Sequence, residues 1–220
     1  MGEPALSIGH FDCYRLSVHQ SLKGDGTRLG KLKRVLEFLN GTVYDVLTLG
    51  AESLEELLNF VDVSFANHHD IRSHTGGGVS FGRGMFMCMS KKQRMNTGST
   101  TESEVVGVSD YLPHTIWLMR FLEAQGNVLK LNIMYQDNIS AIQMERHGKR
   151  SSSRRTRHFD IRFFNVKDKL QANKVRVVYY PTEKRVADFF TKPLQGAQFR
   201  LLRRVIMGMD PVSILELSKG

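Results

Sequence analysis

Four acidic residues stand where the sequence pattern ends a strand or begins a helix: Asp62, Glu104, Asp137 and Asp188. Asp62 sits in "NFVDVSF" between Val61 and Val63, so in an extended chain its carboxylate points away from the face the valines cover. Glu104 opens a long helical pattern, Asp137 closes the apolar run "NIMYQD", and Asp188 lies in "TEKRVADFFTK", which reads as a helix start. The intervals between them are 42, 33 and 51 residues, so only a fold can bring them together. Converged, they suit divalent-metal hydrolysis of a phosphodiester. Two Mg²⁺ ions about 3.5–4 Å apart activate a water on one side and stabilise the leaving oxygen on the other. Mg²⁺ takes hard oxygen ligands, and without cations four crowded carboxylates would raise one another's pKa values. Each acid alone also has a structural reading. Glu104 and Asp188 complement a helix dipole, and Asp137 can cap the helix after its strand. The set and its order carry the chemistry.

One ambiguity stands inside "STTESEVVGV". Ser99 with Glu102, and Thr101 with Glu104, both fit a capping box. The two glutamates border the Val105/Val108/Leu112 stripe on opposite sides, so the helical wheel does not choose between them.

The elements that must position these acids are legible as changes of period. "TRLGKLKRVLEFLNG" repeats Leu29, Leu32, Leu36 and Leu39 at helical spacing, and "TVYDVLTLG" has strand composition. "SLEELLNFVDVSFA" carries both a capping-box signal at Ser53/Glu56 and a strand alternation; a strand over 57–65 is expected. "GGGVSFG" and "GMFMCMS" read as two strands around Gly82-Arg83-Gly84, completing an antiparallel three-stranded meander. From Thr101 to Ala124, Val105, Val108, Leu112, Ile116, Met119 and Leu122 line one helical face, with Pro113 expected to bend or interrupt it. "LNIMYQD" is a short strand, "NISAIQMERHG" a brief helix and "KRSSSRRTR" a basic loop. "HFDIRFFNVKDKLQAN" is an amphipathic helix and "VRVVYY" a strand; "QFRLLRRVIMG" puts Phe199, Leu202, Val205 and Ile206 on one side. Trp117 and the ten methionines read as core filling.

Composition narrows the class. The 220 residues are 41% hydrophobic and 24% charged, a globular balance, and the net charge of +9 favours an anionic partner, with nucleic acid the usual one. Cys13 and Cys88 are the only cysteines, which argues against a secreted disulfide framework and for a reducing, intracellular setting, cytoplasmic or nuclear. No run reaches the ~18 apolar residues of a membrane span, and the N-terminus lacks a signal-peptide pattern, so no membrane association is expected. His68-His69-Asp70 reads as a solvated turn, since adjacent loop residues seldom converge on one ion.

With these residues in view, the chain resembles the ribonuclease H domain of copia-type LTR retrotransposon polyproteins. The carrying segments are "VDVSFANHHDIRSHTGG", "MSKKQRMNTGSTTESEVVGVSD", "YQDNISAI", "RTRHFDIRFF" and "YPTEKRVADFFTKPLQGAQF". The resemblance spans approximately residues 55–205, and "KLKRVLEFLNGT" is similar to the segment that links reverse transcriptase to that domain. It implies an α/β, RNase H-like fold: a five-stranded mixed sheet flanked by helices, with an N-terminal helix–strand extension. Residues 1–54 would be that extension, 55–206 the RNase H-like domain and 207–220 a C-terminal tail. It implies that Asp62, Glu104, Asp137 and Asp188 bind two Mg²⁺ (or Mn²⁺) and cleave the RNA strand of an RNA/DNA hybrid, in a domain normally fused to reverse transcriptase and, in the family, found in cytoplasmic virus-like particles. It also chooses Glu104 over Glu102, since the family's catalytic Glu is the second of the pair and an apolar residue comes directly after it. Asn138 and Ser140 are near enough in sequence to meet substrate, where the 2′-hydroxyl separates RNA from DNA. Lys91, Lys92, Arg94 and Arg157 could touch phosphates, and His158 lies in a family block. The polymerase motif Tyr-x-Asp-Asp does not occur in the chain. The alternative is a catalytically inactive nucleic-acid-binding remnant of such a polyprotein.

Overall fold

The structure is a computed structural model that describes residues 28–147, 157–173, 175–181 and 185–215. In chain order the elements are α1 (Arg28–Gly41), β1 (Gly50–Ala51), β2 (Glu56–Ser64), β3 (His74–Ser80), β4 (Gly82–Arg83), β5 (Met87–Lys92), α2 (Thr100–Ala124), β6 (Leu131–Gln136), α3 (Ile139–His147), α4 (Arg157–Ala172) and β7 (Val175–Tyr179). After them come a 3₁₀ turn (Val186–Phe190), α5 (Gly196–Ile206) and a second 3₁₀ turn (Val212–Leu215).

The main sheet has five strands in the order β5-β3-β2-β6-β7. The β2-β3 and β3-β5 pairs are antiparallel, while β2-β6 and β6-β7 are parallel. The sheet is therefore mixed, and β2 is its centre and its switch point. Both faces are covered, which explains why its strands read as apolar runs rather than clean alternations. On one face Leu57, Val61 and Met134 pack against Val105, Val108 and Leu112 of α2 and Val166 and Leu170 of α4. On the other, Phe60, Ile133 and Tyr135 meet Phe190 of the first 3₁₀ turn and Leu202 and Ile206 of α5. Met134 between Ile133 and Tyr135 is the period-two alternation of a strand buried on both sides.

A buried polar contact pins the centre. Asn59 Nδ2 donates to Asn132 Oδ1 and to the Ile133 carbonyl, both at 2.9 Å, and Thr115 Oγ1 donates to Asn59 Oδ1 at 2.9 Å. Buried amides require such partners, and this set ties β2 to both β6 and α2.

Several expectations need correction. "TVYDVLTLG" is not a strand: Tyr44 and Val46 are exposed, and only Gly50–Ala51 pairs, antiparallel with Gly82–Arg83. The extension is thus a helix and then a two-residue strand. Leu29, Leu32, Leu36 and Leu39 of α1 face solvent, while Val35 is buried and Phe38 meets Phe199 edge-on at 6.1 Å. Pro113 does not interrupt α2, which runs unbroken for 25 residues. The ring lies on the exposed face, where water can take the carbonyl its missing N–H leaves. Trp117 is exposed and stacks on Phe121 with centroids 5.6 Å apart, so it does not fill the core. Packing also continues past residue 206, since Met207, Val212 and Leu215 are buried. Among the described residues no helix is long and apolar enough to cross a membrane.

Candidate metal centre

The β2–β6 register explains how two acids that are far apart in sequence meet. Phe60 stands beside Tyr135 in the parallel pair. Two further residues along each strand bring Asp62 and Asp137 alongside at the carboxyl ends, on the same face. Open α/β sheets bind ligands at such a strand-end switch point. Gly107 lets α2 approach β2 closely, because a Cβ there would lie 2.4 Å from Val63 Cγ2. Glu104, one turn earlier, is thereby brought in. Asp62, Glu104 and Asp137 each offer one carboxylate oxygen, and these atoms lie within 4.8 Å of one another.

The two glutamates of "STTESEVV" separate cleanly. Ser99 is the N-cap of α2 and accepts from Glu102 N–H at 3.2 Å, while Glu102 Oε2 accepts from Gly98 N–H at 2.7 Å. Glu102 secures the helix start; Glu104 is buried in the acidic group. The helix after β6 is capped by Asn138, whose Oδ1 accepts from Ala141 N–H at 3.0 Å. Asp137 is released from the capping role its position allowed.

Asp188 comes from the opposite side, on a 3₁₀ turn rather than an α-helix. Asp188 N–H donates to Arg185 O at 3.3 Å and Thr191 N–H to Asp188 O at 3.2 Å, and Pro193 then blocks continuation. The turn lies close on β3 because Gly76, directly across from Asp62, has no side chain. A Cβ there would be 2.6 Å from Phe190 Cβ and 2.7 Å from Thr191 Cγ2.

Three residues that sequence reasoning did not assign complete the group. Arg185 Nη1 contacts Asp137 Oδ2, donates to Asp62 Oδ1 at 3.2 Å and lies 3.7 Å from Asp188 Oδ1. The Thr191 hydroxyl donates to Asp62 Oδ2. Lys192 Nζ is 2.7 Å from Asp188 Oδ1 and 3.7 Å from Asp62 Oδ2. Thr191 and Lys192 fall within the motif "TKPL", the one signal that could have found them. Nothing in the pattern marked Arg185. A small cleft lined by Tyr135, Asp137, Tyr180 and Arg185 opens beside the acids.

Burial pushes the Asp137 carboxyl above the ordinary carboxylate value; Arg185 opposes this and the Asp62 charge adds to it. Burial likewise raises Asp188, with Asp62 adding and Lys192 and Arg185 opposing. Groups so placed hold charge reluctantly and favour a strong cation. The donor set fits a hard divalent ion. It is all oxygen, three carboxylates converge, and Asp137 Oδ1 is buried with no hydrogen-bond partner among the described residues.

The remaining candidates are more scattered. Lys91, Lys92 and Arg94 are exposed at the end of β5 and just beyond, and Lys92 Nζ is engaged by Asp70 at 2.6 Å. Asp70 also pairs with Arg72, so the His68-His69-Asp70 turn is held by ion pairs. Ser140 is exposed on α3. The side chains of Arg157 and His158 lie outside the described residues.

No protein-family model matches the chain. It is 30% identical over 176 residues, 80% of its length, to the retrovirus-related Pol polyprotein from transposon TNT 1-94 of Nicotiana tabacum. It is 28% identical over 174 residues, 78% of its length, to that from transposon RE1 of Arabidopsis thaliana. The matched segments are 13% and 12% of those polyproteins, so the chain spans about an eighth of the relatives it matches. The ribonuclease H1 LC11, solved in complex with an RNA/DNA hybrid, overlays on 61% of this chain and 93% of its own, at a TM-score of 0.46 and 9% identity. The chain is homologous to one segment of the retrovirus-related Pol polyproteins of copia-type transposons, and its five-stranded mixed sheet flanked by helices is the RNase H-like architecture its motifs imply.

Proposed function

We propose that this chain is a divalent-metal-dependent, RNase H-type endonuclease that hydrolyses the RNA strand of RNA/DNA hybrids. The observation that carries the reading is the convergence of Asp62, Glu104 and Asp137, with ligand oxygens within 4.8 Å, in a homologue of transposon Pol polyproteins. Asp62, Glu104, Asp137 and Asp188 would hold Mg²⁺, with Mn²⁺ a workable substitute. When bound, two such ions supply a water activated for attack and charge stabilisation at the scissile phosphate and its leaving oxygen. The chain's own residues do the positioning. Thr191 fixes one oxygen of Asp62, and Lys192 orients Asp188. Glu104 is held by a helix whose start Ser99 and Glu102 secure. The basic residues Lys91 and Arg94 are exposed and would meet substrate phosphates. Ser140, exposed in the first turn of α3 and three residues after Asp137, would read the 2′-hydroxyl, and Asn138 would set the backbone that carries it. The same reading makes the natural context a Pol polyprotein with a polymerase portion, acting inside the cell.

The test is substrate discrimination. Labelled RNA/DNA hybrid, RNA/RNA and DNA/DNA duplexes of one sequence are incubated with Mg²⁺. Cleavage confined to the RNA of the hybrid is the expected result. Binding of all three without cleavage would favour the inactive remnant, for which the net charge of +9 is the supporting observation.

A further inference from the structure

Arg185 has no role in the chemistry proposed above, yet it occupies the middle of the acidic group. One guanidinium nitrogen serves Asp62 Oδ1 and Asp137 Oδ2 and lies 3.7 Å from Asp188 Oδ1. The side chain is buried, and a guanidinium stays protonated at any accessible pH. Two of the three acids in the candidate metal group thus already share one permanent cation. Lys192 is different in kind: it is a half-exposed ammonium on a flexible stem at the rim, bonded chiefly to Asp188.

The balance of charge sets a limit on ion binding. Asp62, Asp137 and Asp188 share Arg185 and Lys192, with Glu104 beside Asp62 and Asp137 in the converged group, and these two cations offset the repulsion among the acids. Two divalent ions added to those two side chains would set six positive charges against four negative. An ion held by Asp62 and Asp137 would also draw on the same oxygens as Arg185 Nη1, at a separation where like charges in a buried setting repel strongly.

We infer that Arg185 is a resident counter-cation that competes with the divalent ion for Asp62 and Asp137, so that ion binding requires Arg185 to disengage. This rests on the metal-dependent reading of the site. Arg185 holds the carboxylates together for folding, and the ion affinity of the chain is lowered by the strength of that hold. The arginine therefore weakens ion binding rather than assisting it, and its loss makes the fold depend on the ion.

The test is Mn²⁺ titration into the full chain, with free Mn²⁺ read by electron paramagnetic resonance, for wild type and Arg185→Gln. The variant is expected to bind at least about tenfold more tightly, because one unit of opposing charge is gone from a few Å away. Thermal melts of the two are run with and without Mg²⁺, and the ion is expected to raise the variant's Tm more than the wild type's. On the wild-type chain, the ¹⁵N side-chain signal of Arg185 is monitored as Mg²⁺ is added and should shift to that of a solvent-exchanging guanidinium. Equal or weaker Mn²⁺ binding by Arg185→Gln, or an Arg185 signal unmoved at saturating Mg²⁺, overturns the competition while leaving the metal reading in place. Should the variant not fold, the wild-type signal alone decides. If neither protein binds an ion, the metal reading fails and the competition fails with it.

Discussion

Gly76→Ala isolates the contact that holds the 3₁₀ turn against the sheet. Gly76 pairs directly with Asp62, so a side chain there projects on the same face as the Asp62 carboxylate. The added Cβ would lie 2.6 Å from Phe190 Cβ, 2.7 Å from Thr191 Cγ2 and 3.0 Å from the Phe190 carbonyl carbon. Ordinary contact begins near 3.4 Å, so the turn must retreat by roughly 0.8 Å or β3 must bend by as much. Two of these atoms are Cβ and backbone, which no rotamer change can move. Overpacking of this kind costs about 1–3 kcal/mol, which lowers Tm by about 2–4 °C per kcal/mol in a domain of this size. The retreat also carries Thr191 away from Asp62 Oδ2 and Asp188 away from the other acids. Destabilisation should therefore come with weakened Mn²⁺ binding. The assay is a thermal melt paired with the ion titration. A Tm within about 1 °C of wild type, with unchanged Mn²⁺ affinity, would refute the reasoning, because the turn would then not be packed on β3. Gly107→Ala tests the other close approach: its Cβ would lie 2.4 Å from Cγ2 of the buried, χ1-stiff Val63, so the helix propensity that alanine regains, about 1 kcal/mol, should offset only part of the cost.

Other named contacts carry their own expected outcomes. Glu104→Gln should abolish hybrid cleavage with little change in Tm, whereas Glu102→Gln, which keeps a capping oxygen, should keep most activity and lose only about 0.3–1 kcal/mol of charge–dipole stabilisation; equal activity losses would contradict the separation of the two roles. Thr115→Val leaves Asn59 Oδ1 without its buried donor and should cost about 1–3 kcal/mol, read as a shifted urea midpoint at constant m-value; an unshifted midpoint would show that the Asn59 contact does not pin the sheet. The Asp137 carboxyl is raised on folding, so its stabilising contribution is present below its unfolded pKa and is lost as pH rises through the folded value. Asp137→Asn should then gain Tm over wild type as pH climbs above about 4 and show no gain below it; a difference that does not change with pH would contradict the burial argument.

What the sequence showed and what it hid have physical reasons. The strand bearing Asp62, the helix bearing Glu104 and the strand leading to Asp137 were legible because each buries a face, and burial writes a period into the residues. The 3₁₀ turn was read as a helix start because Asp188 stands where an acid would complement a helix dipole, while its i→i+3 bonding ends at Thr191, before Pro193. The leucines of α1 repeat at helical spacing yet face solvent, since period specifies a face and not what covers it. "TVYDVLT" has strand composition, but among the described residues no strand lies alongside it, and of its backbone Thr48 N–H alone reaches across, to Met207 O at 2.9 Å. Arg185 was invisible for a different reason. A lone arginine in a polar stretch looks like solvated surface, and only the fold brings it among acids up to 123 positions away.

The central claim is that the acidic group works through a bound divalent ion on an RNA/DNA hybrid. Its most direct test is the initial rate of hybrid cleavage against Mg²⁺ concentration for wild type and Asp137→Asn. The account predicts saturable, Mg²⁺-dependent cleavage of the RNA strand by the wild type and none above background in the variant, with hybrid binding retained in both. Cleavage that persists without divalent ions, or that Asp137→Asn leaves intact, would contradict it.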